Sequence, residues 1–433
     1  MRILIAAGLF SITAKYDNAV FAVANALSGL ADVCVLSISR FPLPRLRLPE
    51  TTFDVVEPRF SWLLLMQCIR NFGDARHVVS RYTTTHSWFG FLSLVRYLMN
   101  YSQLELTLKT YRPDVVHIHS SDLERSAYIE YLLSCTDVPF LLTVHGLYSL
   151  DPNLQTRYDA NALERHLLRR LSEKGIFITF VSSGIKQAAV QRFAIADSRL
   201  TVVPNGVDID RFRPVPQSQK DAIRMKYGIP LQRKVLIQVG ELYRLKNHMF
   251  VLRCLASLDS RLRQKLHYVI VGDGAEKATL IRFCRENQLM NRCTFVGRRY
   301  ATELVELYEA SDLLVVPSTS EAFPLVMLEA MATGIPILTF SDLWPIKDIA
   351  NRVNTILVHQ RTAESFKDAL ARAIQQSWSQ SEIRRFVEQF TWPIVAKRYY
   401  ALYSQIIGQS VTRVAANNSV AGSVSDVAGV PGR

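Results

Sequence analysis

Several protein classes are excluded by what this sequence lacks. No apolar run approaches the roughly 18 residues that a membrane-spanning helix needs; the nearest, residues 62–69, is far too short. The six cysteines form no Cys-x-x-Cys pair, which speaks against a zinc site and a disulfide framework. They read instead as reduced, buried thiols of a cytoplasmic chain. Glycine and proline are sparse, at 18 and 17 of 433 residues, and 49% of the chain is hydrophobic, so its body reads as well folded. No helix-turn-helix, zinc-finger or RNA-binding signature accompanies the positive charge, so nucleic acid is not the expected partner.

The length suits two domains, each large enough to bury its own core. The opening MRILIAAGLFSITA has the outline of a signal peptide, but a helix-like DNAVFAVANALSGL and a second apolar strand, DVCVLSI, follow it. An α/β domain begins in this way, and the opening is therefore read as its first strand. Formal net charge is +13, and between 214 and 300 there are 17 basic against 6 acidic residues, an excess of 11. Such a concentration points to an anionic small ligand or an anionic surface.

Short apolar strands alternate with helical segments through both halves. Strands are expected at 2–10, 32–39, 114–119, 140–145, 177–182 and 200–203, then at 235–240, 267–272, 294–297, 312–317, 335–340 and 355–358. The pattern predicts two doubly wound Rossmann-like domains, with a ligand at the carboxyl ends of their parallel strands. VVPNGVDIDRFRP at 202–214 joins them, its Pro and Asn-Gly marking turns. Between 40 and 111 arginines mix with Phe60, Trp62, Trp88, Phe89 and Phe91, which suit either a core or a lipid-facing surface. The last 25 residues, 409–433, are poor in bulky apolar residues and are expected to be disordered.

The stretch STSEAFPLVMLEAMATG at 318–334 carries two carboxylates, Glu321 and Glu329. Pro324 suits a helix's first turn and Gly334 its end. Glu321 then lies on the loop after a buried strand, and Glu329 sits roughly 7–8 Å along the helix. Two carboxylates at different depths over one crevice can each accept hydrogen bonds from vicinal hydroxyls of a sugar or ribose. Spacing alone serves equally well for a surface pair with no partner.

Within STSEAFPLVMLEAMATGIPIL, the Glu-x7-Glu spacing resembles the signature of the family 4 retaining glycosyltransferases, which have the GT-B fold. The resemblance continues through VVPNGVDIDRF, VGELYRLKNH, VIVGDGAEKATL, TFVGRRYATELVELYEASDLLVVPS and FTWPIVAKRYYALY, nearly the whole second domain. It is looser over the first, in RILIAAGLF, RPDVVHIHS, LLTVHG and FVSSGIKQ. It implies an acceptor-binding domain at 1–203 and a nucleotide-sugar domain at 204–391, with a helix near 392–408 packing back on the first.

By the same resemblance, Glu321 meets the donor sugar near the transferring carbon and Glu329 binds the ribose hydroxyls. Lys246 matches the diphosphate-binding lysine, whose ammonium offsets charge on the departing phosphate. Gly297 and Arg298 face the nucleobase, and Phe323, Leu325 and Arg244 complete the donor-binding set. His145, in TVHG, faces the donor sugar from across the cleft, with His119 of HIHSSD a weaker candidate beside it. A histidine ending an apolar strand also serves as a satisfied structural residue. The implied reaction moves a hexose from a nucleotide-diphosphate sugar to a surface-glycan or lipid-linked acceptor, retaining configuration without a metal or cofactor. A cytoplasmic enzyme follows, with peripheral attachment to an anionic inner membrane face as an option.

Asp208-Ile-Asp210 has the form of a metal-binding Asp-x-Asp, but belongs to the interdomain connection. GDGAEK lacks the third glycine of a dinucleotide fingerprint. Four departures from the family stand out, one of them SDLWPIKDIA in place of a common glycine-rich turn. The first loop, SITAKYDNAV, has no glycine pair, leaving Lys15 or Asn18 to substitute, or the acceptor to be held differently. Glu241 stands where relatives carry a phosphate-binding arginine; it is expected to point away from the diphosphate, with Arg244 taking over. Pro324 replaces a frequent glycine. The alternatives are a nucleotide-sugar epimerase of the same fold and a catalytically inactive transferase-like subunit.

Overall fold

A computed structural model describes residues 1–7, 19–37, 51–56, 62–73, 88–119, 123–147 and 160–424. Lys15, Asn18 and Phe60, and the side chains of Trp88, Phe89 and Phe91, lie outside the described residues.

Two parallel sheets organise the chain. The first contains β1 (Arg2–Ala7), β2 (Asp32–Ser37), β3 (Asp54–Val56), β4 (Val115–His119), β5 (Phe140–Val144), β6 (Phe177–Phe180) and β7 (Leu200–Val202), in the order β3-β2-β1-β4-β5-β6-β7. The second contains β8 (Lys234–Val239), β9 (Leu266–Val271), β10 (Cys293–Gly297), β11 (Leu313–Val316), β12 (Ile337–Phe340) and β13 (Thr355–Val358), ordered β10-β9-β8-β11-β12-β13. Every residue of β4, β5, β11 and β12 is buried, as parallel strands covered by helices on both faces require. In each sheet the order reverses once, between β1 and β4 and between β8 and β11. At such a switch point the flanking connections diverge to opposite faces and open a crevice beyond the strand ends.

All twelve expected strands are present. β3 was not foreseen, because three residues at a sheet edge with one aspartate carry too little apolar pattern. The strand expected from 335 begins at Ile337, since Gly334 (φ +81°) and Pro336 carry the turn before it. Five cysteines are buried, and Cys135 is exposed at the end of helix Leu123–Cys135. The final helix is Trp392–Val424, so within the described residues the tail expected to be disordered from 409 continues as helix. The reason is local: no proline interrupts residues 394–424, and extending a helix costs far less than starting one.

That helix packs back against helix Ala19–Ser28 and β4, so the chain crosses between the domains twice. The crossings lie side by side, with Val207 N–H donating to Phe390 O at 2.8 Å. A Cβ on Gly206 would come within 2.7 Å of the Trp392 ring, which is why this position takes glycine. Asp208 Oδ1 accepts the backbone N–H groups of Asp210 and Arg211 at 3.1 and 3.0 Å, a turn-forming role. Arg384 gathers the carbonyls of Ile209, Phe212 and Ala332, tying the first crossing to the end of helix Leu325–Ala332.

Below the second switch point, Asp312 receives Lys220 Nζ at 2.7 Å, Arg224 Nη2 at 2.8 Å and the Val235 N–H at 2.7 Å. The cluster clamps helix Gln217–Lys226 to the starts of β8 and β11. Burial would raise the Asp312 carboxyl, but the two cations outweigh it and hold it below its ordinary value. The stability this contributes is therefore complete above the ordinary carboxylate range and is lost as pH falls through it. Asp312→Ala leaves the buried Arg224 guanidinium without its counter-charge, and urea unfolding should show a loss of about 3–5 kcal/mol. A loss below about 1 kcal/mol would show that the clamp is not structural.

Candidate functional site

Lys246 and Glu321 come from opposite sides of the second switch point. Lys246 ends a single 3-10 turn, Arg244–Lys246, after β8, and Glu321 lies on the loop after β11. Lys246 Nζ donates to Glu321 Oε1 at 2.6 Å, and Ser318 Oγ donates to the same oxygen at 2.7 Å. The two loops are stitched by Thr319 N–H to Leu245 O (2.9 Å) and Asn247 Nδ2 to Pro317 O (3.2 Å). Asn247 is left-handed (φ +56°), which turns the chain sharply into helix His248–Ala256. From below, Gln238 Nε2 donates to Lys246 O at 2.6 Å and is held by Tyr268 Oη at 2.5 Å. A charged pair is thus fixed at both ends by side chains already ordered by the sheet.

Beside it is a cavity of about 420 Å³, lined by Gly240, Glu241, Gly272, Asp273, Arg298, Tyr300, Leu325 and Glu329, among others. That volume suits a small organic ligand. Its floor depends on glycine: a Cβ on Gly272 (φ +147°) would meet Gly240 O at 1.9 Å. Gly297 (φ +72°) has open space where a side chain would be.

Glu329 is buried on helix Leu325–Ala332, and its Oε2 accepts from Tyr308 Oη at 2.7 Å. Glu241 turns to Arg298, 3.2 Å from its Nη2, and both side chains are about half exposed. Arg244 is exposed and has no ion pair among the described residues. Phe323 is core: its ring packs on Phe390, and its carbonyl accepts from Asn205 Nδ2 of the first crossing.

Across the cleft, His145 follows β5. Its neighbour Gly146 faces Ala322, 3.6 Å from where its Cβ would be, so the His145 turn meets the Glu321 loop. His119 Nδ1 and His145 Nε2 are 2.8 Å apart, so one ring donates and the other accepts. His119 in turn packs on the tilted ring of His117, 4.0 Å between centroids. His117 bonds Tyr403 Oη (2.7 Å) and Thr143 Oγ1 (2.6 Å), and the hydroxyls of Tyr399 and Thr143 share a hydrogen bond at 3.2 Å. Burial, then His145, holds His117 well below its ordinary pKa, so it is neutral.

Sequence reasoning missed Tyr308, Ser318, Gln238 and the tyrosine pair of the last helix. An apolar-flanked tyrosine on a helix gives no sign that its hydroxyl reaches a carboxylate 21 positions away.

The comparisons agree with this architecture. The description "Glycosyl transferases group 1" matches residues 219–389, and "Glycosyltransferase Family 4" matches 38–211. D-inositol 3-phosphate glycosyltransferase of Corynebacterium jeikeium is 29% identical over 310 residues, 68% of this chain and 72% of the relative. A putative teichuronic acid biosynthesis glycosyltransferase of Bacillus subtilis is 25% identical over 260 residues, 60% of this chain and 61% of its own. Sucrose-phosphate synthase from Thermosynechococcus elongatus superposes with TM-score 0.70 at 18% identity, over 94% of this chain and 99% of that one. Anabaena HepE in complex with UDP and glucose does so with TM-score 0.63 at 16% identity, over 97% and 100%. Two such domains facing one cleft define a GT-B glycosyltransferase. The chain belongs to the family 4, group 1 glycosyltransferases.

Two measurements test the site's internal supports. Tyr308→Phe removes a hydrogen bond from a buried carboxylate and should lower stability in urea by about 1–3 kcal/mol; no change would show that Glu329 is supported otherwise. His248, buried two positions after Lys246, is depressed to about 3 by burial and then by Lys246. His267 is depressed to about 4 by burial and then by Arg233. Both are neutral in the fold, and the unfolded chain takes up their protons first, so stability should fall as pH drops from about 6.5 towards 4. Unfolding midpoints that are flat across that range would contradict it.

Proposed function

We propose that the protein transfers a hexose from a nucleoside diphosphate sugar to a lipid-linked or surface-glycan acceptor, with retention of configuration and without a metal ion. The observation that carries this reading is the Lys246–Glu321 pair, clamped at the switch point beside the cavity that holds Glu329. UDP and glucose in the Anabaena protein of the same fold support the donor class. Inositol phosphate and teichuronic acid, named for two relatives, support a polyhydroxyl or polymeric acceptor.

In this reading the bond from anomeric carbon to diphosphate oxygen breaks while the acceptor hydroxyl attacks from the same face. The acceptor's proton passes to the departing diphosphate. Negative charge develops on the diphosphate, and the Lys246 ammonium, once turned to it as the donor binds, offsets that charge. As Lys246 turns from Glu321 to the diphosphate, that carboxylate is released to accept sugar hydroxyls. Glu329, held by Tyr308, receives the ribose hydroxyls, with Leu325 and Arg298 at the cavity wall. Arg298 also neutralises Glu241, so the carboxylate that departs from the family pattern opposes the donor less. That pairing favours an active enzyme over an inactive subunit. His145 faces the sugar from the first domain, its orientation set by His119.

Calorimetry with a panel of nucleoside diphosphates and their sugars, without added metal, is the direct test. One nucleotide should bind, and Glu329→Ala should weaken it about tenfold or more. With the donor identified, Lys246→Ala should slow transfer about 10²-fold. A folded protein that binds no nucleotide would overturn the reading.

A further inference from the structure

Helix Trp62–Arg70 of the first domain is inside out. Trp62, Leu63, Met66 and Ile69, and then Phe72, are 79%, 64%, 61%, 61% and 46% exposed. These residues recur at helical spacing and share one face. The opposite face, buried against helix Trp88–Tyr111, is half polar: Gln67 and, just past the helix, Asn71 accompany Leu64 and Cys68. Gln67 and Arg70 both donate to Glu105 of that helix, and Asn71 Nδ2 donates to Glu105 at 3.3 Å and to Ser102 at 3.2 Å. A polar clasp therefore holds the helix on the domain, and its apolar side is turned to the outside.

An aqueous surface does not favour this arrangement, because exposed apolar side chains gain nothing there. The rim supplies the second observation. Arg70 and Lys109 share the single carboxylate of Glu105, whose side chain is only 5% exposed, while their own side chains are 62% and 60% exposed. The sequence from Trp62 to Gly73 contains no acidic residue. Large outward apolar groups are thus bordered by two mostly exposed cations that share one carboxylate, an excess of positive charge of the kind that favours the headgroup boundary of an anionic bilayer.

We propose that Trp62, Leu63, Met66, Ile69 and Phe72 form a docking face by which the protein lies on an anionic lipid bilayer. No helix among the described residues is long and apolar enough to cross a membrane, so attachment here is to one leaflet. The proposal extends the reading of a lipid-linked acceptor and rests on it for its purpose: the face belongs to the domain expected to receive that acceptor.

The test is cosedimentation of the full chain with phosphatidylcholine vesicles, with and without phosphatidylglycerol, beside nucleotide calorimetry on the same samples. Wild type should bind, more tightly with phosphatidylglycerol. Met66→Ser with Ile69→Ser, both at exposed positions, should weaken binding about tenfold or more, with the unfolding midpoint and nucleotide binding unchanged. Trp62→Ser should act in the same direction. Equal vesicle binding by variant and wild type would overturn the proposal. So would failure of wild type to bind, or a wild-type dimer that the double variant makes monomeric, since a second copy would then cover the face. Nucleotide binding separates the two readings: its loss would sink the transferase assignment and leave the docking result standing.

Discussion

The placement of β8 beside β11 is the constraint on which the rest depends. Lys246 and Glu321 are 75 positions apart and meet because the crossovers leave these two strands adjacent at the point where the sheet order reverses. The Asp312 cluster fixes the strands at one end, and the Gln238–Tyr268 bond and the loop stitches fix them at the other. An ion pair so held loses little side-chain entropy when it forms, since both partners sit on loops already ordered. Its neighbour Glu329 owes its position to the same strand, because helix Leu325–Ala332 continues directly from the β11 loop.

The first domain answers with polar order of a different kind. From the last helix, Tyr399 and Tyr403 reach through the core to Thr143 and His117, and His117 packs on the ring that bonds His145. The helix begins beside Gly206, where both crossings meet. A physically continuous set of contacts thus joins the interdomain connection to the histidine facing the cleft. Buried polar groups of this sort cost stability unless every one is paired, and in exchange they specify one arrangement.

The fold and the core of the candidate site were legible because their signals are local in the chain. Twelve strands showed as short apolar runs, and Glu321, Pro324, Glu329 and Gly334 lie in one 17-residue stretch whose order encodes loop, helix start and helix end. What escaped was what tertiary packing decides. Nothing near Tyr308 in the chain shows that its hydroxyl finds Glu329. The aromatics around Trp62 suit either a core or a lipid-facing surface by composition, and it takes the bonds of Gln67, Arg70 and Asn71 to Glu105 to show which side of that helix is held against the domain. Composition supplies hydrophobicity; it does not supply direction.

The charge balance at the cleft bears on how a donor would enter. Lys246 is paired with Glu321, Arg298 with Glu241, and Lys277 with Asp273, so the resting site is close to neutral where a diphosphate is proposed to sit. Binding is then an exchange of partners more than the filling of a positive hole. Each cation that turns to phosphate frees a carboxylate, and a freed carboxylate needs a donor of hydrogen bonds. Sugar hydroxyls supply such donors and inorganic diphosphate does not. Discrimination for the intact nucleotide sugar can therefore come from the carboxylates that at first sight oppose an anionic ligand.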